Sequence, residues 1–78
     1  MNLKKYNNVF MECFNIDENS LNSNLIYNSI EEWDSVGHMA MIAELEDVFE
    51  IMLETEDVIE FSSYTIGKEI LKKYNVEI

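Results

Sequence analysis

Proline is absent from this 78-residue chain, and cysteine occurs once. No Gly/Ser-rich tract, low-complexity segment or internal repeat is present either, so nothing reads as a linker between domains. The lone Cys13 has no partner for an internal disulfide. Basic residues are scarce: five face sixteen acidic ones, for a net charge of -11. Such a surface repels nucleic acid phosphates and anionic lipid heads, which argues against DNA, RNA or membrane-surface binding and favours partners with basic patches. Long apolar runs are missing too. Met39 to Ala43 is closed by Glu44, far short of the roughly 20 residues that span a bilayer. With no secretory leader pattern at the start, the expected location is the cytoplasm.

What is present suffices for one small domain. A hydrophobic content of 47% argues against disorder despite the charge. Leu3, Tyr6, Val9, Phe10, Cys13 and Phe14 recur at helical spacing and predict an amphipathic helix over 2–14, with Cys13 as a small core residue. From 15 to 34 the chain turns to Asn, Ser and Asp, which serve turns better than helices. This long loop carries Leu21, Leu25, Ile26, Tyr27 and Ile30, so it is expected to pack across the helices, with a short turn near Ser20 to Asn24. A calcium-loop reading of Asp17-Glu18-Asn19 fails, because Asn22 and Asn28 stand where Gly and Glu are required.

A second helix is expected over 35–51. Val36, Met39, Ile42, Leu45, Phe49 and Met52 follow one another at steps of three and four and are read as its inward stripe. Gly37, Ala40, Glu44 and Asp47 fall on another face, as an acidic patch beginning one turn below Ser35. A short helix over 56–61 follows, with Val58, Ile59 and Phe61 inserting and the carboxylates facing water. Ser62 or Ser63 caps a last helix over 64–74, with a stripe of Ile66, Ile70, Leu71 and Tyr74 and with Lys72 and Lys73 at the negative dipole end. Val76 to Ile78 reads as a loose tail. The expected fold is an all-α bundle of three main helices and one short one.

Chemistry concentrates at 34 and 35. Asp34 and Ser35 both suit a helix start, and a phosphate esterified to the Ser35 hydroxyl would lie near unpaired N–H groups and the positive helix end. Gly37 costs about 1 kcal/mol against alanine in a helix and implies either a close approach to bare backbone or a tolerated glycine near a helix end. His38 is alone and has no metal partner set. As a base for Ser35 it lacks a third group to orient it, and a nucleophile elbow would need Gly where Trp33 stands. Trp33 is read as a packing residue.

Asp34-Ser35-Val36, followed by Met39, Leu45-Glu46-Asp47 and Phe49, resembles the acyl carrier protein family. The resemblance extends through the acidic segment Glu54 to Glu60 and the helix ending Ile70-Leu71-Lys72-Lys73-Tyr74. It implies an acyl carrier protein-like bundle that catalyses nothing itself and holds 4'-phosphopantetheine, drawn from coenzyme A, on Ser35, with Asp34 as motif and cap residue. It further implies a phosphopantetheinyl transferase and acyl-loading and acyl-processing enzymes as partners, in fatty acid, polyketide or another specialised pathway. These would dock a monomeric carrier through Asp34, Val36, Met39, Glu44, Glu46, Asp47 and Glu50. An aminoacyl or peptidyl carrier, and an unmodified acidic adaptor, are the alternatives.

Overall fold

Four helices, three long and one short, make an all-α bundle in the computed structural model, which describes residues 2–78. They are α1 (Asn2–Phe14), α2 (Ser35–Phe49), α3 (Thr55–Glu60) and α4 (Tyr64–Lys72), with a 3-10 turn at Glu18–Ser20 in the long loop. Among the described residues there is no strand, only an isolated antiparallel bridge between Ile26 and Ser63. That bridge ties the loop to the start of α4 through Tyr27 N–H to Ser62 O and Tyr64 N–H to Leu25 O, both 2.9 Å. No helix is long and apolar enough to cross a membrane among these residues.

The long helices end alike, without glycine. Asn15, Glu50 and Asn75 take left-handed φ values of 53°, 54° and 65°. Behind each, an N–H folds back to a carbonyl five residues earlier: Ile16 to Met11, Ile51 to Glu46 and Val76 to Leu71. This closure satisfies carbonyls that a helix end leaves open, and asparagine tolerates the left-handed region better than most residues. It stops α2 at Phe49 and α4 at Lys72, each two residues short of the expected end. The last residues are no loose tail either, since Val76 is buried and Ile78 packs against the core.

Aromatic rings fill the centre. Phe10 of α1 touches Tyr6, Phe14, Trp33, Phe61 and Tyr64, with centroids 4.9–6.3 Å apart. Those separations are the range of favourable ring pairs. The buried Tyr6 hydroxyl donates to Tyr64 O at 2.6 Å, and burial pushes its pKa well up. Leu25 and Trp33 bring the long loop into this core as expected, although Ile26 and Tyr27 stay largely exposed. Cys13 packs partly buried against the cluster; burial, then Glu44 and Glu12, raise its thiol pKa, which makes it a poor nucleophile.

The expected stripes need correction in all four helices. In α2 the buried residues are Met41, Ile42 and Leu45, while Val36 is 77% and Met39 55% exposed. The expected stripe ran Val36, Met39, Ile42, Leu45, and each step of three falls about 60° short of a full turn. Three such steps carry Val36 to the side opposite Leu45. Met52 lies beyond the helix and is 85% exposed. In α3, Ile59 points outward and Asp57, expected in water, is buried. In α4, Ile66 is exposed, and Tyr64 and Gly67 take its place inside with Ile70 and Leu71. Leu3 at the start of α1 is also exposed.

Asp57 is buried because it is paired. Its Oδ1 accepts from Lys73 Nζ at 2.6 Å, and its Oδ2 accepts from the Tyr74 hydroxyl, which itself accepts Glu54 N–H at 3.0 Å. Together these bonds fasten α3 to the end of α4. The bond from Lys73, then that from Tyr74, holds the Asp57 carboxyl below the usual carboxylate range.

Candidate functional site

Ser35 is the first residue of α2, and its side chain is exposed. Asp34 before it has extended backbone, and its Oδ1 accepts Gly37 N–H at 2.8 Å while its carbonyl accepts His38 N–H at 2.7 Å. A cap of this kind contributes about 1 kcal/mol. The Asp34 carboxylate thus occupies one first-turn donor, while the Ser35 and Val36 N–H groups are first-turn donors with no acceptor within the helix.

Gly37 is explained by the protein's own loop. A Cβ there would overlap the carbonyl oxygen of Glu32 and lie 3.1 Å from its carbonyl carbon. The close approach inferred from the sequence is therefore intramolecular, and it sets how the loop delivers Trp33 and Asp34 to the helix.

His38, one turn below Ser35, is held on both nitrogens. Trp33 Nε1–H, which can only donate, gives its proton to His38 Nδ1 at 2.9 Å, and His38 Nε2 lies 2.8 Å from Val58 O, which can only accept. These partners fix the Nε2–H tautomer. The sequence showed no group to orient this imidazole, and the fold supplies two. The one basic lone pair of this tautomer, on Nδ1, accepts from Trp33, and Nε2–H is given to Val58 O, so the ring has no lone pair free to take a proton from Ser35. No group of three His, Cys, Asp or Glu side chains able to hold a metal ion occurs among the described residues.

Beside Ser35 a cleft of about 280 Å³ opens between α2 and α3, lined by Tyr27, Ser35, His38, Met39, Val58, Ile59, Phe61 and Ser62. Most of that lining is apolar. Ile59 and Tyr27 escaped the sequence reading as site residues, because they reach Ser35 only through the packing of α3 and the loop. Both were assigned to packing in the sequence, and only their exposure in the fold frees them to line the cleft.

The residues expected to meet partners are not on one face. Val36, Met39, Ala40, Ala43, Asp47 and Glu50 are exposed, and their spacing gives a ridge running down from Ser35. Its upper part is apolar. After Asp34 the first acid on α2 is Glu44, nine residues beyond Ser35 and about 13 Å along the axis, so no acidic patch begins one turn below the serine. Glu44 lies on the other side, in a groove against α1 shared with Lys5 and Glu12. Half-buried Glu46 accepts Leu53 N–H through Oε2 at 2.9 Å and so anchors the segment after α2. Only Asp47 and Glu50 bring exposed acid to the ridge below the serine, with Asp34 beside it.

No family model, no curated protein and no solved structure matches this chain.

Proposed function

We propose that the protein is an acyl carrier whose Ser35 holds a 4'-phosphopantetheine arm. The observation that carries this reading is an exposed serine at the head of a capped helix, opening on an apolar cleft. The residues fit such a group. The free first-turn N–H groups favour a phosphate esterified to Ser35, while the net charge of -11 and the Asp34 carboxylate disfavour holding a free anion, so covalent attachment suits the site. When bound, the arm supplies a terminal thiol that holds an acyl group as a thioester and presents it to successive enzymes at high effective concentration. Tyr27, Met39, Ile59 and Phe61 offer apolar contact to what the arm carries.

The chain itself catalyses nothing in this reading, since the one basic lone pair of His38 is already engaged by Trp33. It works as a single copy in the cytoplasm. A phosphopantetheinyl transferase and acyl-loading and acyl-processing enzymes with basic patches read the ridge from Asp34 through Val36 and Met39 to Asp47 and Glu50. Among fatty acid, polyketide and aminoacyl cargo, the apolar lining of the cleft favours an apolar acyl group.

Incubation with coenzyme A and a broad-specificity phosphopantetheinyl transferase should add one phosphopantetheine unit to the intact mass, and Ser35→Ala should abolish it. An unchanged wild-type mass, under conditions that modify a control carrier, would leave the exposed apolar ridge as the surface of an unmodified adaptor.

A further inference from the structure

The cleft beside Ser35 stops at a ring. His38 lines it, and behind His38 the Trp33 indole stacks at 6.2 Å with an interplanar angle of 13°. Phe61 closes the side, edge-on to His38 at 6.2 Å. Trp33 has no exposed surface, and beyond it Phe10 and Phe14 stand in ring contact at 5.6 and 5.2 Å. A chain entering between α2 and α3 would have to displace His38, whose two hydrogen bonds span from the loop to the α3 backbone. Displacement would strand the buried Trp33 N–H without an acceptor and would break the close packing of the rings around it. The cleft of about 280 Å³ lies below the roughly 300–1,000 Å³ of sites that enclose drug-sized ligands, but above the ~150 Å³ cavity that holds benzene.

We propose that His38 is a specificity-determining plug: the Trp33–His38–Val58 bridge confines the cargo on Ser35 to a small apolar acyl group seated in the surface cleft and keeps extended chains out of the core. The inference rests on Ser35 as the attachment point. Each part of the bridge has its own task. Trp33 holds the imidazole upright from the loop side, Val58 O holds it from α3, and the ring face that remains forms the end wall of the cleft. A short acyl group gains contact with Tyr27, Met39 and Ile59; every further carbon stays in water.

The sole tryptophan makes the test direct, because its indole N–H gives one resonance that reports the bond to His38. The wild type, His38→Gln and His38→Ala would each be loaded on Ser35 with acetyl, butyryl, octanoyl and tetradecanoyl 4'-phosphopantetheine from the matching acyl-coenzyme A. Melting temperature and the indole N–H shift are then followed against chain length. The wild type should respond up to butyryl and then stay flat. His38→Gln, whose amide can accept from Trp33 and donate to Val58, should behave alike. His38→Ala should continue to gain melting temperature at octanoyl and beyond. A wild-type melting temperature that climbs through tetradecanoyl, with the indole signal moving away from its unloaded position, overturns the proposal. So does an Ala variant as flat as the wild type. If His38→Ala does not fold, the wild-type series and His38→Thr decide by the same criteria. A chain that takes up no pantetheine at all fails the carrier reading instead, so the two failures are distinct.

Discussion

Replacing Gly37 by alanine sets two effects of known size against each other. In a helix interior alanine is favoured over glycine by about 1 kcal/mol, so propensity alone would make Gly37→Ala stabilising. The added Cβ, however, overlaps the Glu32 carbonyl oxygen. Overpacking costs about 1–3 kcal/mol, and the upper part of that range applies because the obstacle is backbone, which cannot rotate aside like a side chain. The net loss is then about 1–2 kcal/mol, which at ~4–8 °C per kcal/mol for a domain this size lowers the melting temperature by about 4–16 °C. Thermal unfolding followed by far-UV circular dichroism measures it. Ala40→Gly, on the exposed ridge, is the control: it loses only propensity, about 1 kcal/mol, and should fall by ~4–8 °C. A Gly37→Ala protein that melts at or above the wild-type temperature would refute the steric argument. Because Glu32 lies two residues before Asp34, the displaced backbone should also disturb the cap, and loading of Ser35 should slow.

Asp57→Asn should lower the melting temperature at neutral pH, and the gap to wild type should close in acid. A carboxyl with a depressed folded pKa contributes stability that is present above its unfolded value of about 3.9 and is lost as pH falls through the lower folded value; melting curves from pH 7 to pH 2 with a constant gap would contradict this. Asp47→Lys should slow modification of Ser35 more than Glu44→Lys does, mainly through weaker association, because Asp47 lies on the ridge below the serine and Glu44 in the groove against α1. Glu44→Lys should match Glu12→Lys, its neighbour in that groove. Equal rates for all three reversals across ionic strength would mean that net charge alone steers the partner.

The helices were legible because each carries a local signal: apolar spacing in α1, Asp34 before α2, Ser63 before α4. Ser63 indeed caps α4, its hydroxyl accepting Ile66 N–H at 2.9 Å. What sequence reasoning missed depends on partners far along the chain. Nothing near His38 announces the Val58 carbonyl, and nothing near Asp57 announces Lys73 and Tyr74. An acidic run looks solvated until the fold brings a lysine to one member of it. The outward turn of Val36 and Met39 was within reach of the sequence, since the angle per residue is fixed and only the step counting hid it. Gly37 lay between: its cost signalled a close approach, but whether to a ligand or to the chain's own loop required the position of Glu32.

The bridge between Ile26 and Ser63 bears on the order in which the molecule assembles. It joins segments separated by nearly half the chain, and all of α2 and α3 lies within the loop it closes. Closing a loop of that length costs conformational entropy before any contact across it repays the cost, which slows folding relative to a bundle held by local contacts alone. The contacts that fasten α3 to the end of α4, Asp57 with Lys73 and Tyr74, span far shorter intervals and can form before the bridge closes. The cleft has one wall on α2 and the other on α3, so the surface beside Ser35 needs both helices docked and cannot arise from either alone.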